Sequence, residues 1–231
     1  MKIIDVHFLK YPFKGSRRMT TWLNEQGYSV NRKRIQRLYQ TMGLSTIYPK
    51  PNLSKSDPVA YKYPYLLRDL VIERNNQVWA IDITYIPMKK GFMYLAAIID
   101  LNSRFVINWS LSNTMEAEWI CQIIKEAIDV HGKPEILNSD QGSQFTSNAY
   151  IKLLLDAGIQ ISMDGKGWAT DNIFIERLWR SLKYEYVYLN VPADGLDLYQ
   201  GINEWFRFYN EDRHHQSLNN KKPAEIYLKD A

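Results

Sequence analysis

Three acidic residues carry the chemistry that this chain is equipped to do: Asp82 in VWAIDITYI, Asp140 in ILNSDQGSQFTS and Glu176 in ATDNIFIERLWRSLK. Thirty-five residues separate Asp140 from Glu176, and Lys183 follows the glutamate by seven. An ionised carboxylate within an otherwise apolar strand is costly unless it is paired or bound to a cation. Taken singly, Asp82 reads as a structural aspartate bonded to backbone or lysine, and Asp140, which opens the Gly142 turn, as a turn residue. Taken together, one carboxylate inside a strand, one at a strand's end and one on a helix predict a shared site for divalent metal.

Such a site suits phosphoryl transfer. Attack on phosphorus needs a nucleophilic oxygen, a stabilised leaving oxygen and neutralised charge, and two metal ions roughly 3.5–4 Å apart supply all three. Three carboxylates suffice, because Mg²⁺ keeps waters and takes few protein ligands. His7, His131, His214 and His215 lack zinc-ligand spacing, and no Ser, His and Asp arrangement competes. Gly165 and Gly167 in MDGKGWAT read as a loop ahead of the last core helix.

That helix is expected from about Thr170 to Tyr186. At about 100° per residue, Asn172, Glu176, Arg180 and Lys183 share a polar stripe. Ile175, Leu178, Trp179, Leu182 and Tyr186 form the apolar stripe beside it, so the polar one faces the site. Glu176 with Arg180 is also an ordinary i,i+4 salt-bridge pattern, which leaves the arginine's work open. Ahead of it the pattern predicts strands at Val78–Ile86, Phe92–Asp100 and Phe105–Leu111 joined as hairpins. A helix Met115–His131, a strand Glu135–Ser139, a helix Asn148–Ala157 and a strand Ile159–Ser162 follow. Periodicity by itself gives a mixed α/β domain.

The chain has 231 residues and a net charge of +4, unevenly spread. Residues 1–57 hold 11 Lys and Arg against Asp5, Glu25 and Asp57, so they carry +8 and the rest −4. A basic arm ahead of a mildly acidic core points to a polyanion partner, against the alternative of a solvated surface. The arm reads as two helices and a turn. Ser16 is placed as the cap of the first and Gly27 as its stop; the second starts near Asn31 with Ile35, Leu38, Tyr39 and Met42 inward. Arg32, Lys33, Arg34 and Arg37 occupy its remaining surface, as in a helix-turn-helix or any small helical hairpin. The expected domains are the basic module 1–45, a Pro-rich linker 46–70, and a catalytic core 71–231 with a C-terminal helical extension. The single cysteine, Cys121, reads as a core residue, and no stretch is long enough to span a membrane.

The segments NQVWAIDITYIPMKKGFMYLAAIID, NSDQGSQFTS, TDNIFIERLWRSLKYEYVYL and FYNEDRHHQSLNNKKPAEIY, behind the basic arm, resemble OrfB-type transposases of the IS-three family of bacterial insertion sequences, with their D,D(35)E core like that of retroviral integrases. The resemblance implies an RNase H-like mixed sheet flanked by helices and a small helix-turn-helix-like module. It implies Asp82, Asp140 and Glu176 as catalytic residues holding Mg²⁺, with Mn²⁺ as substitute, two ions per site. The implied activity is strand cleavage at element ends and 3′-OH strand transfer. The alternative is a catalytically silent DNA-binding derivative; a general RNase H-like nuclease is disfavoured by the basic arm.

Implied partners are double-stranded DNA of the terminal repeats and target, further copies of the chain on that DNA, and an upstream-frame DNA-binding protein or fusion. The expected location is the bacterial cytoplasm, at the nucleoid when DNA-bound. Lys183, Arg180, Asn172, Trp168, Arg32, Lys33, Arg34 and Arg37 are the expected DNA contacts. Two positions depart from the family pattern: Trp168 stands where close relatives carry Arg, and His214 where they carry Pro. Trp168 therefore either removes a cation from the phosphates or stacks on a base.

Overall fold

The computed structural model describes residues 1–47, 63–164 and 172–229. The chain divides into two compact units, Met1–Lys55 and Ser56–Ala231.

The first unit is built of α1 (Lys2–Lys10), α2 (Ser16–Glu25) and α3 (Arg32–Thr41). Three helices replace the two expected. MKIIDVHFLK is short and broken by Asp5 and His7, yet Ile4 and Phe8, one turn apart, bury themselves beside Met19, Leu23, Ile35 and Tyr39. Helix α2 is capped by Gly15, with no side-chain cap bond, and Ser16 is its first residue. Asn31 caps α3 as expected, its side chain accepting the Arg34 N–H. Arg32, Lys33, Arg34 and Arg37 are all exposed on α3.

The second unit is a five-stranded sheet in the order β3-β2-β1-β4-β5. Strands β1 (Val78–Pro87), β2 (Phe92–Asp100) and β3 (Val106–Ser112) are antiparallel neighbours, whereas β4 (Ile136–Ser139) and β5 (Gln160–Met163) run parallel to β1. The period of two along β1 divides its residues between two cores. Trp79 and Ile81 join the cluster formed with α4 (Ala117–His131) and α5 (Asn148–Asp156). Val78 and Ala80 join the other cluster, with Ile175, Leu178, Trp179 and Leu182 of α6 (Ile173–Leu182) and Leu198, Ile202 and Trp205 of α7 (Gly195–Glu211). A short α8 (Pro223–Tyr227) ends the order.

Helix α6 differs from the expected 170–186 helix. Residues 165–171 lie outside the described residues, and at Lys183 the α-helix gives way to a π-helical turn, Lys183–Val187. Of the expected linker, residues 48–62 lie outside the described residues. Leu66, Leu67 and Leu70 pack on the α6 and α7 cluster, and the Leu66 N–H donates to Ser162 Oγ at 3.1 Å.

Candidate active site

Backbone register brings the first two carboxylates together. Ala80 of β1 pairs with Asn138 of β4, which in turn pairs with Ser162 of β5. Two residues beyond these pairs stand Asp82, within β1, and Asp140 and Asp164, just past the ends of β4 and β5, and both act on the Asp82 charge. The Asp164 N–H donates to the Ser139 carbonyl at 3.0 Å, which carries the β4–β5 ladder past the ends of those strands. Adjacent strands are about 4.8 Å apart. The carboxyl end of a parallel sheet is where open α/β folds place their ligands.

Asp82 follows Ala80 by two and so projects to the same face, the one covered by α6. There the Trp179 indole N–H donates to Asp82 Oδ2 at 2.8 Å. Burial pushes the Asp82 carboxyl up to about 6; the N–H groups of Trp179 and Ile83 pull against that rise, while Asp140 and Asp164 add to it. The Lys183 ammonium sits close enough to feel Asp82: burial lowers its pKa and Asp82 opposes the fall. The site thus crowds negative charge around one half-buried carboxylate, which an added cation would relieve.

Asp140 is exposed, and its Oδ1 accepts the Gly142 N–H at 2.8 Å, the turn role anticipated for it. Asp164 is tied by Asn138 Nδ2, which donates to its Oδ1 at 2.8 Å. Glu176 is exposed in the first turn of α6, where a negative charge suits the helix dipole. Among the described residues no three His, Cys, Asp or Glu side chains converge closely enough to hold a metal ion, so Asp82, Asp140 and Glu176 do not close on one point. Asn172 is the N-cap residue of α6, and its carbonyl accepts the Glu176 N–H at 3.2 Å. Arg180 is exposed near the Tyr184 ring. The ion pairs among described residues are Arg74–Glu135, Arg213–Glu185 and Lys222–Asp212, so Arg180 is not spent on Glu176. Trp168 lies outside the described residues.

Two neighbours escaped the sequence reading. Trp179 fits the apolar stripe of α6 so well that its indole N–H drew no notice, although a buried Trp needs an acceptor. Asp164 carried a usable signal, because it follows its strand immediately, as Asp140 follows β4.

Residues 72–168 and 157–223 match Integrase core domain families, and residues 1–52 match an HTH-like domain. Over 221 residues the chain is 34% identical to the transposase for insertion sequence element IS904 of Lactococcus lactis subsp. lactis (strain IL1403), covering 92% of this chain and 86% of that protein. This chain belongs to the IS3-family transposases.

The transposase is also 34% identical over 183 residues to InsF of insertion sequence IS3A from Escherichia coli (strain K12), across 75% of this chain and 62% of that one. Its fold is shared with solved viral integrases. The HTLV-2 integrase catalytic core domain in complex with magnesium, in its dimeric form, aligns at TM-score 0.53 and 22% identity, over 67% of this chain and 97% of that one. The simian T-cell lymphotropic virus intasome in complex with PP2A regulatory subunit B56 gamma aligns at TM-score 0.59 and 15% identity, over 97% of this chain and 73% of that one. At such identities the likeness establishes the fold alone, an RNase H-like integrase core. Among the described residues no helix is long and apolar enough to cross a membrane.

Proposed function

We propose that this transposase cuts one DNA strand at each end of its element and joins the freed 3′-OH to a target phosphodiester, with Asp82, Asp140 and Glu176 as the catalytic carboxylates. The observation that carries this is the closeness of Asp140, at the end of β4, to Asp82 of the neighbouring parallel strand, which packs under α6, the helix that bears Glu176. The donor set is all carboxylate oxygen, which suits Mg²⁺ or Mn²⁺. Bound divalent ions, two in the full site, would activate the attacking oxygen and stabilise the leaving one. Trp179 fixes Asp82 through Oδ2 and ties β1 to the helix of Glu176. Lys183, held near Asp82, offers a positive charge to the phosphate, and Arg180 and Asn172 lie on the same stretch of α6.

The solved HTLV-2 core contains magnesium and is a dimeric form, which supports a metal and a homo-oligomer here. The alternative is a silent DNA-binding role. Incubating the chain with the DNA ends that flank its own coding sequence and Mg²⁺ or Mn²⁺ decides between them: cleaved and joined strands are expected, and binding without either product selects the silent role.

Two further outcomes follow from the same geometry. Trp179→Phe leaves a smaller aromatic ring and deletes the indole N–H, so joining is expected to fall roughly 10–100-fold, as for other partners that orient a metal ligand. DNA affinity should hold and the urea midpoint should fall modestly, because the smaller ring leaves a gap in the core; unchanged joining at limiting Mg²⁺ would remove Trp179 from the site. In the basic module, replacing Arg32, Lys33, Arg34 and Arg37 with Gln should flatten the salt dependence of DNA binding by about 0.9 for each phosphate no longer neutralised. All four are exposed, so folding is spared. An unchanged slope would leave α3 a packing helix with a solvated face.

A further inference from the structure

On another flank of α6 a cavity of about 460 Å³ is lined by Arg104, Arg177, Arg180 and Arg213, with His214 and Ser217 at its edge. Arg177 precedes Trp179 by two residues, which at about 100° per residue places it roughly 160° around the helix from the indole that grips Asp82. The cavity is therefore separate from the carboxylate site, though Arg180, next to Glu176 around the helix, borders both. Its volume is that of a small-ligand pocket.

The arginines are poorly compensated. Of these four, Arg213 has a salt-bridge partner among the described residues, Glu185, to which its Nη2 donates at 2.7 Å, and Arg104 feels the buried charge of Asp100. Arg104 lies over the Phe174 ring, 3.5 Å from its centroid, and donates to the Leu101 carbonyl. Burial pushes Arg104 down to about 10; Tyr209 and Asp100 pull against that fall, and the like charge of Arg177 adds to it. His215 is driven to about 4 by burial and then by Arg213 and Arg104, so it is neutral at pH 7 and adds no cation. Arg177 and Arg180 are exposed and make no salt bridge among the described residues; a concave surface with such cations focuses a positive field, and guanidinium forks match phosphate oxygens bidentately.

We infer that this arginine cavity holds a backbone phosphate of the DNA on which the transposase acts, away from the phosphate under attack. This rests on the proposed function for its DNA but not on the carboxylates' role. A phosphate seated there would fix the duplex along α6, on the helix that bears Glu176, and so set the register of the strand presented to the carboxylates.

The test uses the full chain and a short fluorescein-labelled DNA duplex, with binding followed by anisotropy across a range of NaCl. Arg177→Gln removes an exposed cation from the cavity, and Ser217→Glu, also at an exposed position, places a carboxylate in it. Each is expected to weaken binding and make the log–log salt slope shallower by about one, while Lys152→Gln, on α5 across the sheet, leaves the slope alone. Equal slopes for wild type and both cavity variants would overturn the inference, as would an equal loss from Lys152→Gln. If inorganic phosphate at matched ionic strength bound the cavity while the DNA slopes stayed unchanged, the occupant would be a free anion and the inference would fall. Asp82→Asn in the same series keeps the outcomes apart: it should bind DNA like wild type, and its catalytic result bears only on the proposed function.

Discussion

Asp82→Asn is expected to abolish cleavage and joining and, in the same molecule, to make the metal-free chain more stable at pH 7. The amide keeps the shape and still accepts the Trp179 indole through its carbonyl oxygen, but it lacks the charge a divalent metal requires. Folding raises the Asp82 pKa from 3.8 to about 6, so the folded state holds this proton more tightly than the unfolded chain does. The stability that goes with that proton is fully present below about pH 4 and is lost as the pH rises through about 6. At pH 7 the wild type bears a half-buried charge that the amide does not, a difference on the order of 1–3 kcal/mol.

Urea unfolding in chelator should therefore show Asp82→Asn ahead of wild type at pH 7, with the gap closing toward pH 4. Added Mg²⁺ should raise the wild-type midpoint and leave that of the amide variant alone. A variant less stable than wild type at pH 7 would show that burial does not strain this carboxylate. Asp140→Asn and Glu176→Gln should also abolish joining, but without the gain in stability, because both residues are exposed. Near-wild-type joining by any of the three in Mg²⁺ would remove that residue from the catalytic set.

The largest loss of stability is expected at Asp100, the last residue of β2. Its carboxylate is 0% exposed and accepts from the Asn76 N–H at 2.8 Å, the Asn102 N–H at 3.1 Å, the Ser103 N–H at 2.8 Å and Ser103 Oγ at 2.7 Å. It closes the β2–β3 connection, in which Arg104 holds a left-handed φ of 63° that a β-carbon disfavours. Asp100→Ala strands four donors in a site closed to water and should cost about 3–5 kcal/mol in urea unfolding. Asp100→Asn should cost less, about 1–3 kcal/mol, because Oδ1 keeps its three donors and only the Asn76 N–H faces an amide NH₂. Equal losses for the two would show that the turn depends on charge, not on acceptor geometry. The same turn carries Arg104 to its place over Phe174, so Asp100→Ala should weaken DNA binding as well.

The strands were legible in the sequence because β-branched and aromatic runs broken by Lys89-Lys90-Gly91 and Asn102-Ser103 leave little choice of local structure. β2 matches its expected bounds, β1 runs one residue longer at its end, and β3 is shifted by one residue at both ends. Helix α6 was legible through its apolar stripe, and Ile175, Leu178, Trp179 and Leu182 are all buried. Helix α1 was not, because a nine-residue segment with Asp5 and His7 inside it has little helical signal of its own and is held by Met19, Leu23 and Ile35 from elsewhere in the chain. The switch to a π-turn at Lys183 also leaves no mark in the periodicity.

Residue type and spacing alone determined which carboxylates stand as candidates: an aspartate in an apolar strand, an aspartate at a strand's end and a glutamate on an amphipathic helix are local features, each readable within one turn or one strand. What stands beside them is not local. Asp164 lies abreast of Asp140 only through the β4–β5 register, and Trp179 reaches Asp82 only because α6 crosses the face to which Val78 and Ala80 point. Arg104, Arg177 and Arg213 come from a turn, a helix and the segment after α7, with no spacing to connect them. Charge acts through space, and only the packing of the two cores against one sheet decides which charges meet.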